Sequence, residues 1–259
     1  MAIILENVSY NYNNQCILND INLSIKSNAI TSIIGISGSG KTILAEIISL
    51  LTAPSNGKVI NNEKTSLVFQ NPSEQFFSNT VEKEIELGIN NLNKDISQIT
   101  KKVNDALIMV ELDSSFLKRK LSTLTLAEQR KVAIAAVLTA NPEVIVLDEP
   151  TLGLDSKSQK TIARLIKLLK QRYKKTIIVL TEDVEFAHII SDEVIVLDSG
   201  KVVLQDNKYE VFTKDIENYD LKKPKIIEFE QLVYRKKKIK LMYRDDINDL
   251  MKDIYRNVK

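Results

Sequence analysis

Between Ile34 and Ile43 the chain reads Gly35-Ile36-Ser37-Gly38-Ser39-Gly40-Lys41-Thr42, the spacing of a phosphate-binding loop. No other stretch constrains the fold as much. The short apolar run Ala29 to Ile34 precedes it, and Leu44, Ile47, Ile48 and Leu51 follow at helical spacing within Ile43 to Leu51. Strand, glycine loop and helix is the context the pattern requires. Glycines let successive backbone N–H groups turn toward phosphates, and the helix N-terminus adds the positive end of its dipole. Lys41 is then placed to reach the β and γ phosphates, and the Thr42 hydroxyl to ligate Mg²⁺. The chain has 7 glycines in 259 residues, about 3% against a usual ~7%, so three within one loop stand out from a sparse background.

The rest of the chain supplies the matching rhythm. Val8, Tyr10 and Tyr12 alternate, as do Ile21, Leu23 and Ile25, which predicts two half-buried antiparallel strands joined by the turn Asn11 to Gln15. From roughly Asn71 to Ser122 the pattern turns polar and helical, with Ile99, Val103, Ala106, Leu107 and Val110 on one face. Then Val132 to Leu138 and Ile162 to Leu169 read as helices, and Val144 to Leu147, Ile177 to Leu180 and Val194 to Leu197 as core strands. Such alternation implies an α/β fold with a parallel sheet. Beyond Val202 the sequence becomes a charged appendage with Pro224, the run Arg235 to Lys238 followed by Lys240, and a last helical stretch near Ile247 to Ile254.

Composition removes several functions. A net charge of +2 argues against nucleic acid as a partner. The single cysteine, Cys16, forms no intrachain disulfide or Cys-rich metal site, and Met1 to Tyr12 is not a leader, which predicts a cytosolic address. No apolar run approaches the roughly 18 residues of a membrane span, so any membrane association is peripheral.

A second constellation pairs with the first. Val144-Ile145-Val146-Leu147-Asp148-Glu149 is an apolar strand ending in two carboxylates, which places Asp148 at the carboxyl end of the sheet to hold Mg²⁺ and Glu149 to polarise a water. With both constellations in hand, the sequence resembles the ATP-binding-cassette (ABC) ATPases over nearly its whole length. The resemblance implies a P-loop nucleotide-binding domain with an antiparallel β subdomain, a helical insertion at about 71–125, and a small C-terminal α+β appendage at 206–259 following an ATPase domain at 1–205. It further implies that Tyr12 stacks on adenine, that Gln70 touches Mg²⁺ and the attacking water, and that Asp155, in Leu152-Gly153-Leu154-Asp155, lies in a loop crossing to a partner subunit.

The likeness narrows at Val68-Phe69-Gln70-Asn71-Pro72-Ser73-Glu74-Gln75-Phe76-Phe77, at Thr80-Val81 and at Val132-Ala133-Ile134-Ala135. These segments, with Glu210-Val211-Phe212 in the tail, resemble the ATPase subunits of energy-coupling-factor transporters, which drive vitamin and metal-ion uptake in bacteria. In that family two ATPase subunits pair head to tail beneath a membrane coupling protein, and another membrane protein captures the substrate.

Two positions depart from the family. Its Leu-Ser-Gly-Gly-Gln signature falls on Leu124-Thr125-Leu126-Ala127-Glu128, which lacks both glycines. Leu126 adds bulk where backbone approaches the partner's γ phosphate, and Glu128 adds an anion beside another. Thr125 and Glu128 also have the spacing of a capping box, so the segment still starts a helix. At the switch position the family's histidine is Glu182, whose carboxylate repels phosphate. The chain's one histidine, His188, falls about 240° around a helix from Glu182 and is expected on that helix's surface. A homodimer would carry both changes in both sites, which favours a heterodimer. The alternative function is a degenerate nucleotide-binding partner with little turnover of its own. The basic run Arg235 to Lys238 is expected to be a solvated face.

Overall fold

Alternating apolar residues pair β1 (Ile3–Tyr12) with β2 (Gln15–Ile25), antiparallel, through a tight turn at Asn13 and Asn14. Both turn residues have positive φ, the geometry that matches the twist of the flanking strands. Chain order then runs β3 (Ile30–Ile34), α1 (Lys41–Ile48), β4 (Asn56–Asn61), β5 (Thr65–Val68), α2 (Pro72–Gln75), α3 (Val81–Leu87), α4 (Ile96–Met109) and α5 (Leu126–Leu138). It continues through β6 (Val144–Asp148), α6 (Ser156–Tyr173), β7 (Thr176–Thr181), α7 (Val184–Ile190), β8 (Glu193–Asp198), β9 (Lys201–Asn207), α8 (Lys208–Thr213), α9 (Lys225–Lys237) and α10 (Ile247–Asn257). The computed structural model describes residues 1–89, 96–239, 241, 244 and 247–257.

Two sheets form. One is β2-β1-β4; the other is β5-β6-β7-β3-β8-β9, parallel except for its antiparallel edge strand β9. Successive side chains on a strand point to opposite faces, so the buried central strands feed two cores at once. Val144, Val146, Ile178 and Leu180 pack with α1 and with Ile3, Leu5, Leu18 and Ile21 of the small sheet. Ile145, Leu147, Ile177 and Val179 pack on the other face against α5, α6 and the helical insertion. That insertion buries Val103, Ala106, Leu107 and Val110 of α4, with Ile99 packed at the edge of the cluster.

The tail is not a separate ball. Phe212, Ile216, Leu221, Ile227 and Leu250 pack against Val184 and Ala187 of α7 and Val194 and Val196 of β8. Strand β9 runs to Asn207, across the boundary expected at 205, and among the described residues the chain beyond it contains helices and connections but no strand. Arg235 to Lys238 are exposed, and Lys240 lies outside the described residues.

Two local expectations are corrected. Leu51 is not on the buried helical face: α1 ends at Ile48, Leu50 turns left-handed at φ 59°, and Leu51 is 61% exposed. His188 is not a surface residue: it is 2% exposed, with its ring 5.5 Å from that of Phe212. Glu182 lies outside α7, which begins at Val184, so a helical wheel does not relate the two residues, and α8 covers the side of α7 that an isolated helix would show to water.

Candidate functional site

The carboxyl ends of β3, β5, β6 and β7 open on one side of the sheet, and each delivers a piece of the site. After β3 the glycine loop turns through Gly38 at φ 82° and Gly40 at φ 100°, conformations that glycine adopts without steric cost. A side chain at Gly35 would collide with the Leu197 carbonyl of β8, so the loop lies tight against its own sheet. Gly40 caps α1 without any side-chain hydrogen bond, and the first turn carries no acidic residue. The leading N–H groups of α1 are therefore left to the cleft.

Lys41 is 7% exposed; its Nζ donates to the carbonyls of Gly35 (2.8 Å) and Ile36 (3.0 Å) and lies 3.5 Å from Glu149 Oε1. Thr42 Oγ1 donates to Asp148 Oδ2 at 3.0 Å, while Asp148 Oδ1 is buried with no hydrogen-bond partner among the described residues. Glu149 sits at φ 44°, an uncommon conformation for glutamate. Its N–H donates to the Leu180 carbonyl at 2.8 Å, Oε2 accepts from Thr181 Oγ1 at 2.8 Å, and Oε1 accepts from the Glu182 N–H at 3.0 Å. Three contacts to the end of β7 thus hold the strained carboxylate.

Burial pushes the Asp148 carboxyl above its ordinary range, against the lowering effects of the Thr42 hydrogen bond and the Lys41 charge. Burial likewise raises Glu149, opposed by the Thr181 hydrogen bond and Lys41 and reinforced by the charges of Asp148 and Glu182.

A cleft of about 510 Å³ is lined by Ser37, Gly38, Gly40, Lys41, Thr42, Gln70, Glu149 and Glu182, among others. The structure thus gathers residues that lie far apart in the sequence, and it puts the departing Glu182 in the same wall. Ser39 is buried beneath the loop. Tyr12 is not part of this lining: it ends β1 and is 60% exposed. Asp155 caps α6, its Oδ1 accepting from the Ser158 N–H at 2.7 Å.

At the start of α5 both halves of the capping box form: Glu128 Oε2 accepts from the Thr125 N–H at 2.8 Å, and Thr125 Oγ1 accepts from the Glu128 N–H at 3.4 Å. Thr181, which grips Glu149, escaped the sequence reading; its position at the strand end before Glu182 was the available signal. Arg130 also escaped, though an arginine leading into the apolar Val132 to Leu138 invites attention.

The ABC transporter family model matches residues 18–152. Energy-coupling factor transporter ATP-binding protein EcfA2 of Clostridium perfringens is 36% identical over 241 residues, covering 85% of this chain and 84% of that one. The protein of the same name from Mycoplasma capricolum is 34% identical over 260 residues, covering 91% and 89%. Among solved structures, cbiO1 from Clostridium perfringens, part of the ABC transporter complex cbiONQ, superposes with TM-score 0.77 at 28% identity over 92% of this chain and 96% of that one. The ATP-binding cassette MJ0796, solved as a dimer bound to ADP and Pi, gives TM-score 0.72 at 30% identity over 79% and 98%.

Proposed function

Because the chain belongs to the ABC transporter ATPases and, within them, to the energy-coupling factor transporter ATP-binding proteins, we propose that it powers the uptake of vitamins or metal ions through a membrane transporter complex. It is an ABC-type ATPase, binding ATP and hydrolysing it. Among the described residues no helix is long and apolar enough to cross a membrane, which fits a subunit seated peripherally on the cytoplasmic face. There it would sit beneath a membrane coupling protein, with a separate membrane protein capturing the substrate.

The observation that carries the residue assignments is the junction of Lys41, Thr42 and Glu149 in one cleft, with Asp148 hydrogen-bonded to Thr42 beside it. In this reading Gly35, Ile36, Ser37, Gly38, Ser39 and Gly40 wrap backbone N–H groups around the β and γ phosphates. Lys41 exchanges its loop carbonyls for phosphate oxygens, and Tyr12 stacks on adenine, worth about 1–3 kcal/mol. Glu149, fixed by Thr181 and the Glu182 N–H, orients the attacking water and takes its proton as the γ phosphorus–oxygen bond to ADP breaks.

Thr42, Gln70 and Asp148 fit Mg²⁺. All three offer oxygen donors, and Asp148 Oδ1, beside the Thr42 hydroxyl, is buried without a hydrogen-bond partner among the described residues. When bound, the ion neutralises charge on the phosphates.

The second ATPase subunit is a different chain in this proposal. Glu182 lies beside this chain's own nucleotide cleft, whereas the Thr125–Glu128 segment would face the partner's, so a heterodimer avoids placing both changes in one composite site. Comparing the native chain with Glu149→Gln in the purified transporter complex tests the reading. The expected result is loss of ATP turnover at this chain's own site with binding of a fluorescent ATP analogue retained; turnover that survives at that site overturns it.

A further inference from the structure

Helix α5 reaches into the site with two side chains one turn apart. Leu126 Cδ2 lies 3.1 Å from where a Cβ on Gly153 would stand, and Gly153 has φ 76°, so a larger residue there is both strained and crowded. Four residues on, Arg130 Nη2 donates to the Leu152 carbonyl at 3.0 Å. Both grips fall on the loop that follows Glu149.

Arg130 is 3% exposed, and its Nε and Nη1 make no hydrogen bond among the described residues. Asp148 Oδ1 is in the same condition. The two orphaned groups carry opposite charge and wall one cavity of about 760 Å³, which Thr42, Gln70, Leu126, Leu152 and Gly153 also line. A buried guanidinium with no anion nearby is costly, and a leucine or methionine would fill such a place more cheaply. Here the charges of Glu149 and Asp148 oppose the burial that lowers the Arg130 pKa.

We infer that Arg130 is a positioning residue for ATP hydrolysis, tying the start of α5 to the loop behind Glu149 and standing as the counter-charge to Asp148 across the shared cavity. Leu126 is its apolar companion on the same loop. The segment that lost the glycines of its family thereby gains a connection within its own chain. This assignment rests on the role given to Glu149.

The test is steady-state ATP turnover in the purified transporter complex, with Arg130→Gln, Arg130→Lys, Leu126→Ala and Glu149→Gln. Arg130→Gln should lower kcat by about tenfold or more with KM for ATP little changed, because the nucleotide contacts remain. Arg130→Lys, which keeps a cation and a donor, should restore most of kcat. An unchanged kcat in Arg130→Gln overturns the inference. So does an equal loss in the Gln and Lys variants, which marks packing alone. Should Arg130→Gln fail to fold, Leu126→Ala decides the loop-holding role: lowered kcat supports it, and native or higher kcat overturns it. Turnover that persists at this chain's own site in Glu149→Gln refutes the underlying assignment independently of Arg130.

Discussion

Two helices begin at this site, and they begin on opposite terms. Helix α1 starts at Gly40 with no side-chain cap and no acidic first turn, so its leading N–H groups stay available to an anion. Helix α5 starts at Thr125 with a complete capping box, so Thr125 and Glu128 satisfy each other's N–H groups and put a carboxylate over the helix's positive end. The contrast separates a helix start built to receive phosphate from one that has closed on itself. A nucleotide held by this chain meets an open cradle, whereas a nucleotide held by a partner would meet a start whose donors are already engaged.

The contrast breaks most visibly at Lys41. Lys41→Ala leaves α1 in place but removes the cation that reaches phosphate, and ATP turnover should fall by about 10²-fold or more, checked by phosphate release. Next in size is Glu182→His. The Glu182 N–H bond to Glu149 is made by the backbone and survives the change, so replacing the repelling carboxylate should raise turnover by about tenfold. If turnover does not rise, Glu182 is not what limits the cleft. A third effect is a pH dependence. Burial raises the Glu149 pKa above its ordinary 4.5, so the folded state binds that proton more tightly than the unfolded state. The stabilisation this gives is fully present below the unfolded value and is lost as pH rises through the folded one. The Tm difference between Glu149→Gln and the native chain should therefore shift toward the variant as pH rises above the ordinary glutamate value of 4.5. Smallest is Thr125→Ala, which opens the capping box and should cost about 1 kcal/mol in denaturant unfolding. A change well below that would mean the box adds little to holding α5.

Much of this site was legible because backbone geometry and residue type coincide there. Gly38 and Gly40 are glycines where φ is positive, and Asp148 and Glu149 end a strand that is apolar along its whole length. The Thr125 capping box was legible for the same reason: four residues within one turn decide it. What escaped depended on contacts between distant segments. His188 is buried because Phe212 of the appendage packs against it, and no periodicity in α7 records that. Arg130 earns its place through Leu152 and the charges of Asp148 and Glu149, which only folding brings near. Leu51 continued a helical spacing beyond the point where Leu50 turns the backbone away.

The order of strands has a mechanical meaning. Strands β5 and β6 are neighbours in the sheet, yet the whole helical insertion runs between them. Its outgoing end leaves the site past Gln70, whereas its return runs through α5 and enters β6 at Val144, the opposite end of that strand from Asp148. Asp148 is thereby fixed in the sheet and bonded to Thr42, and Gln70 is the residue of the site that continues directly into the insertion. A displacement of the insertion would thus be delivered to the site as a change in the distance between Gln70 and Thr42.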